Sequence, residues 1–481
     1  MKAPRPSRRG WLRALLGALL LAGAVTLIPV NRPMEITGFP VPAGADSVII
    51  AVGERYRANG IQRFLQGEHY RELWTLPIPV EVLDLATFDG GLRPTDEGGG
   101  MQTRTLHFVS GTGRQWGFRS IDKEPTRAIH PLFRRGIIAW MLQDQTSSSH
   151  PAGALVVAPL EAALGLPPDH PRMVVLPHDS TLGAYRAGFG GVVGMLRERP
   201  GEDRRERSGP GDPPPTRNTE ELEALLDSVS TERVDASGLL TARLLDFFLN
   251  DWDRHPGQWR WGGRPGPLGR LWFPIPVDRD QAFSWYDGFV MGLARIRTPK
   301  LAGFGPRLPP LRGLVKNSEK MDRRLLGSLT RAEWDSVAAF VRGRLTDSVI
   351  EDAVNRMPSG YRRVSGAFLA SALKQRREQI PGIAREFYLR SALDAEVHAA
   401  GDGALTQLFH QPDGGLEVLI SIDPGKAPVF HRLFRRGETR RVTLFLHGPG
   451  NRIAVSGIAR RGIEVRIIDD QGRRVAPASR R

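Results

Sequence analysis

Two stretches decide the reading of this chain: Leu245-Asp246-Phe247-Phe248-Leu249-Asn250-Asp251-Trp252-Asp253-Arg254-His255 and Pro276-Val277-Asp278-Arg279-Asp280-Gln281-Ala282-Phe283. In the first, an apolar helical run drives straight into a cluster of Asp, Arg and His, and Pro256-Gly257 stops it. Between the two stretches, Gln258–Trp261 and Leu271–Ile275 read as strands joined by the Gly/Pro-rich turn Gly262–Gly269. Paired strands lie about 5 Å apart, so a hairpin returns the chain close to where it started. Asp253 and Asp278 are therefore expected to face one another across one site.

Two carboxylates so placed suit phosphoryl transfer. One orients the attacking hydroxyl and accepts its proton, and the other holds the metal that bridges the phosphates. The same pair would also serve metal-dependent hydrolysis, or a surface charge network with Arg254 and Arg279. Asp246, two helical turns before Asp253, is placed to brace the loop, and Arg254 and His255 to orient Asp253. Trp252, Trp259 and Trp261 read as core packing around the site.

The string Asp253-Arg254-His255, followed by Asp278 and Phe283, resembles the catalytic loop and metal-binding motif of atypical kinases: the phosphatidylinositol kinases, the HipA-like kinases, and the secreted and spore-coat protein kinases. The chain also resembles a bacterial envelope group carrying DWDRH…QWRW…DRDQAF, from about residue 50 to 460. The resemblance implies an α+β, two-lobed kinase-like fold with Asp253 as catalytic base and Asp278 holding Mg²⁺, with Asp280 and Gln258 beside it. It implies a nucleotide-binding lysine on a strand of the first lobe, and Lys123, ending the second strand of a hairpin, fits. Gly99, within Gly98-Gly99-Gly100, would let backbone N–H groups approach phosphate. Glu198 would lie in the inter-lobe connector near the adenine, and Asp144 would pair with Lys123. The pattern departs at Gln258, where related kinases carry Asn, and in the helical stretch 133–145, which offers no glutamate for Lys123.

Around this centre the chain divides by pattern. A signal peptide or membrane anchor is expected at 1–30, where Lys2, Arg5, Arg8 and Arg9 precede an uncharged run of about 17 residues, Ala14–Val30. A strand-rich lobe follows at 45–200, with strands Ser47–Val52, Val80–Leu85, Met173–Leu176 and a hairpin of Thr103–Phe108 and Gln115–Ser120. Arg197–Asn218 is packed with Arg, Glu, Pro, Gly and Asp, so 201–218 reads as a flexible linker or insertion. A mostly helical lobe with the catalytic hairpin is expected at 219–400, including Thr219–Ser228, Leu239–Asn250, Ser365–Ile380 and Ile383–Leu393. A small β module closes the chain at 410–475.

The formal net charge of +15 is carried mainly by Arg, and no nucleic-acid module accompanies it, so nucleic acid is not an expected partner. A basic surface suits anionic phosphates or an anionic membrane face instead. With no cysteine, disulfides, thiolate catalysis and cysteine-ligated metals are excluded.

The leading expectation is an exported phosphotransferase, periplasmic or anchored to the inner membrane. It would use Mg²⁺ and ATP or another nucleoside triphosphate to phosphorylate a hydroxyl on a protein or envelope component. An outer-membrane assembly or phosphoesterase partner is a further expectation. The alternative is a pseudokinase or scaffold that binds a partner in cell-envelope biogenesis without turnover. A metal-dependent phosphohydrolase ranks third, because His255 is the one histidine near the paired carboxylates.

Overall fold

Helix Ala236–Leu249 is buried on every side from Leu239 onward, its charged residues Arg243 and Asp246 included, so it forms the spine of the second lobe. Asp235 caps its start by accepting from the Gly238 amide. Asn250 ends it in a left-handed conformation, φ 63°, and its side-chain amide donates to the carbonyls of Ser284 and Ala302. The helix end is thus tied to the segment after the second acidic stretch, and the amide of Phe283 closes the junction by donating to Leu249 at 2.8 Å.

The structure, a computed structural model, describes residue 17 and residues 35–98, 102–167, 170–199, 214–401, 403–423, 425, 427–457 and 462–475. It is an α+β fold with two lobes and a terminal β module. The first lobe is built on a seven-stranded sheet: β1 Ser47–Ile50, β2 Ile78–Val82, β3 Leu92–Gly98, β4 Thr105–Ser110, β5 Gln115–Ser120, β6 Arg172–Val175 and β7 Val193–Glu198, in the order β1-β2-β6-β7-β5-β4-β3. Edge strand β3 is absent from the sequence reading, because Arg93, Pro94, Thr95, Asp96 and Glu97 carry no apolar alternation. A bulge between Pro94 and Glu97 and this polar edge are what keep the sheet from pairing further.

The second lobe carries the expected hairpin, β10 Trp259–Pro265 and β11 Arg270–Pro276, flanked by β8 Thr216–Asn218 and β9 Arg233–Val234. β8 takes the last three residues of 201–218, the stretch read as a linker, and β7 ends just before it at Glu198; residues 200–213 lie outside the described ones. Trp259, Trp261 and Trp272 of the hairpin are fully buried against helix Ala236–Leu249 in a hydrophobic cluster that also takes in Tyr56, Trp74 and Val156 from the first lobe. One continuous apolar core therefore joins the lobes, while Trp116 and Phe118 of β5 pack in a separate first-lobe cluster.

Helix Ala367–Leu393 runs unbroken through Pro381, where the sequence suggests two pieces. The proline removes one amide donor, but the buried row Leu369, Leu373, Ile380, Ile383 and Phe387 holds both halves in register. The helical stretch then ends at Leu393, not 400, and β12 Asp394–Ala399 opens the β module. This module packs β12-β16-β18-β19 on β15-β14-β13-β17, formed by β13 Leu405–His410, β14 Leu416–Ser421, β15 Phe430–Phe434, β16 Arg441–Leu446, β17 Arg452–Ser456, β18 Glu464–Ile468 and β19 Arg474–Val475. Its core is its own, built from residues such as Val397, Leu408, Val418 and Leu444. No helix among the described residues is long and apolar enough to cross a membrane; the stretch expected to be a signal or anchor is, but for Gly17, outside them.

Candidate active site

The hairpin register sets the site. Trp259 lies opposite Pro276, and the Val277 amide donates to the Gln258 carbonyl at 3.0 Å, so the residue before β10 and the residues after β11 are adjacent. Gln258 donates its side-chain amide to Asp278 Oδ2 at 3.2 Å. Asp278 itself adopts φ 59°, a left-handed conformation that costs about 1–2 kcal/mol outside glycine and is least uncommon for Asp and Asn.

The first lobe supplies two cations to this turn. Arg119, on β5 and anchored by its own bond to Thr103 Oγ1, reaches Asp278 Oδ2 at 2.6 Å. Lys123, in the turn three residues past β5, reaches Asp280 Oδ2 at 2.6 Å. The Lys123 side chain is only 7% exposed and that of Asp278 14%, while their partners Asp280 and Arg119 reach the surface, so each pair has one member shielded and one in contact with water. Burial alone pushes the Asp278 carboxyl up, but the Arg119 guanidinium, the Lys123 ammonium and the Gln258 amide outweigh it and hold the pKa at about 2. Asp278 is a carboxylate at any physiological pH.

Asp253 sits in the loop after Asn250 and is half-buried. Its Oδ1 accepts from the Asn317 side-chain amide at 2.8 Å, and Lys300, whose ammonium lies 4.2 Å from the centre of the Trp252 ring, feels its charge. Among the described residues the carboxylates of Asp253 and Asp278 share no hydrogen bond. What joins their segments is Arg254: fully buried, it donates to the carbonyls of Val277 at 2.8 Å, Asp278 at 3.2 Å and Gln258 at 2.9 Å, and packs over Trp259 at 4.6 Å. Arg254 thus fastens the loop that carries Asp253 to the turn that carries Asp278.

Beneath this surface lies a buried ion network. Arg279 bonds Asp246, Glu161 at 2.9 Å and Asp251 at 3.2 Å, while Arg243 bonds Asp246 and Asp322. Asp246 braces the loop as expected, through Arg254 at 3.5 Å and Arg279. Burial, aided by Asp246 and Asp280, pushes the Asp251 carboxyl up to about 7 against the pull of Arg254 and Arg279.

Several expected assignments change. Asp144 does not meet Lys123; it forms a buried pair with Arg71 and accepts from Gln62, while it is Gln143 that donates to the Lys123 carbonyl. Arg71 wins because its fork spans both oxygens of Asp144 from inside the same apolar core. Glu198 is the last residue of β7, paired across from Trp116 and half-exposed 3.7 Å from Arg114, where the chain leaves the first-lobe sheet. His255 is exposed and caps the turn Pro256–Gln258 by accepting from Gly257; it does not orient Asp253. Gly99 lies outside the described residues. The sequence reading overlooked Arg119, Asn317 and Lys300. Only Arg119 carried a signal, as a basic residue on the same strand that leads to Lys123.

His150 shows how burial around the site becomes pH dependence. Its ring packs edge-on to Tyr70 and Phe283, and Nδ1 accepts from the Ala152 amide at 3.1 Å. Burial drives its pKa down to about 3. The unfolded chain takes up a proton below about 6.5 that the folded chain refuses, so this contribution to stability is intact above 6.5 and falls by about 1.4 kcal/mol per unit as pH drops toward 3. Urea denaturation should show wild type losing about 2 kcal/mol more than His150→Asn between pH 7 and pH 5. Equal losses would mean that His150 is protonated in the folded protein.

No family model matches the chain, and no curated protein matches it. Solved structures do. The Helicobacter pylori proinflammatory kinase CtkA is 10% identical, covers 64% of this chain and 98% of its own, and superposes with a TM-score of 0.32. HipA of Shewanella oneidensis, from its complex with HipB and operator DNA, is 16% identical over 72% of this chain and 76% of its own, with a TM-score of 0.30. The Golgi casein kinase is 11% identical over 81% and 91%, with a TM-score of 0.26. At these identities and TM-scores the chemistry of the site has to be argued from its own residues.

Proposed function

We propose that the chain is a phosphotransferase that uses a Mg²⁺-bound nucleoside triphosphate, ATP in the first instance, to phosphorylate a hydroxyl of a protein or envelope component outside the cytoplasm. The observation that carries this reading is the double ion pair Arg119–Asp278 and Lys123–Asp280 at the junction of the lobes. Two cations and two carboxylates neutralise each other in the free protein. A metal–triphosphate complex brings the complementary set: its cation suits Asp278 and Asp280, and its phosphates suit Arg119 and Lys123. The donor set fits Mg²⁺ in chemistry, since carboxylate oxygens are the hard ligands it selects. Gln258 would join them on turning its amide over to present Oε1, since the hydrogen-bond network directs its nitrogen at Asp278. Bound metal would neutralise charge developing on the phosphates; Lys123 and Arg119 would hold those phosphates, and Asp253, steadied by Asn317, would accept the proton of the incoming hydroxyl.

One observation favours a second reading, a scaffold that binds a partner in the same cleft without turnover. Arg119 already occupies Asp278, and Gln258 offers it an amide nitrogen in place of a ligand oxygen. Transfer of labelled γ-phosphate to envelope proteins separates the two. The phosphotransferase reading expects transfer that is lost in Asp253→Ala and in Asp278→Ala, with nucleotide binding surviving in the first. Absence of transfer, or transfer unchanged in both variants, contradicts it.

A further inference from the structure

Away from the cleft, three side chains that are remote in sequence converge where the β module meets the second lobe. Asp227 comes from helix Thr219–Ser228, His398 from β12, and His447 from the residue after β16. β12 and β16 run parallel with His398 beside Phe445, the His447 amide donates to Ala399 at 3.0 Å, and the Gly401 amide donates to the Asp227 carbonyl at 2.8 Å. The backbone therefore fixes all three positions before any side-chain bond is counted.

Their polar atoms meet at one point. His447 Nε2 lies 2.9 Å from Asp227 Oδ1 and 3.0 Å from His398 Nδ1, and one ligand atom from each residue falls within 4.8 Å of the others. With neutral rings, a single proton on His447 Nε2 serves two acceptors, the Asp227 carboxylate and the His398 Nδ1 lone pair. Moving that proton to Nδ1 of His447 leaves three lone pairs aimed at one location. Two imidazole nitrogens and one carboxylate oxygen are a ligand set for Zn²⁺ or a similar borderline divalent cation.

The surroundings fit the same cation. His398 Nε2 is buried and makes no hydrogen bond, and it faces Glu396 Oε2 at 3.7 Å. A carboxylate behind the far nitrogen of a ligating histidine is the usual outer partner that fixes its tautomer. Glu396 is itself held by Arg323 at 3.4 Å. Arg324 donates to Oδ1 of Asp227, the same oxygen that meets His447, and also to the Glu223 carbonyl, so it opposes a cation there and would have to shift to Oδ2 when an ion binds. His398, Glu396 and Arg324 also line a solvent-open cavity of about 140 Å³ between the module and the helices, through which an ion can enter.

We propose that Asp227, His398 and His447 form a three-residue site for a divalent transition metal, Zn²⁺ in the first instance, that locks the β module onto the second lobe. This site is separate from the Asp253–Asp278 cleft and does not depend on the function proposed for it. The chain has no cysteine, so no thiolate competes for the ion.

The test is calorimetric titration of the full, chelator-stripped chain with Zn²⁺ alone, repeated with Co²⁺ to read coordination from its visible d–d absorption. The expected result is one equivalent bound with the Co²⁺ spectrum of a four-coordinate nitrogen and oxygen site, and a rise in Tm with Zn²⁺. His398→Gln and Asp227→Asn should each weaken that equivalent by tenfold or more and abolish the Tm rise, with the circular dichroism of the fold unchanged. His447→Ala serves as a third variant should either of these fail to fold. Binding of equal stoichiometry and affinity in wild type and variants, or no stoichiometric binding in wild type, overturns the proposal.

Discussion

Asp278→Asn is expected to abolish the Mg²⁺ dependence of nucleotide binding while leaving the fold intact. In wild type, a nucleotide at about one hundred times its Kd should stabilise the protein by about 2.7 kcal/mol, and this should vanish on removing Mg²⁺. The Asn variant keeps the shape of the residue and loses the charge that a metal requires. It also frees Arg119, whose side chain is 36% exposed and can turn to water, so the loss in intrinsic stability should stay near 1 kcal/mol. Free nucleotide without metal should bind the variant no worse than wild type, because Arg119 is then released from its carboxylate while Lys123 keeps Asp280. Thermal shift with and without Mg²⁺ reads all three effects. Retention of the Mg²⁺-dependent shift in the variant would remove Asp278 from the metal-binding role.

Arg279→Met should cost the most stability of any single change near the site, about 3–5 kcal/mol by urea denaturation at pH 7.5. Its guanidinium is 2% exposed and serves Glu161, Asp246 and Asp251 at once, and methionine fills the volume but leaves those acids with less positive charge in a buried region. Asp246 retains Arg243 and Arg254, and Asp251 keeps Arg254 at 3.8 Å, so Glu161 and Asp251 bear most of the penalty. The deficit should shrink toward pH 5, because Asp251, whose pKa is raised, takes up a proton and no longer needs a cation. Adding Asp251→Asn to Arg279→Met should recover part of the loss at pH 7.5 for the same reason. A cost below 1 kcal/mol would show that water or neighbouring groups screen the network.

The parts of this site that sequence made legible are those joined by a local hairpin. Trp259 opposite Pro276 follows from two short strands around a Gly/Pro turn, and that pairing alone puts Gln258 beside Asp278 and Arg254 beneath both. Lys123 could be placed near the second acidic stretch because a strand and its turn are visible in Gln115–Lys123, although its partner is Asp280. Pairings set by tertiary packing left no local trace. Arg71 with Asp144, Glu161 with Arg279 and Arg119 with Asp278 join residues separated by many elements, and any of several arginines would have looked equally suitable. At the level of elements, β3 was hidden by its polar edge character. β12 was hidden because Asp394-Ala395-Glu396-Val397-His398-Ala399 carries helix-compatible residues whose strand state comes from pairing with β16.

In this mechanism one metal–triphosphate complex spans the ion pairs of the cleft. The measurement that tests it most directly is anomalous scattering from a crystal grown with Mn²⁺ and a non-hydrolysable ATP analogue. The account predicts a manganese peak on Asp278, phosphates on Lys123 and Arg119, and the Asp253 carboxylate directed at the open side of the terminal phosphate. Manganese or phosphate density away from Asp278 and Lys123, with the pairs Arg119–Asp278 and Lys123–Asp280 still closed, would contradict it.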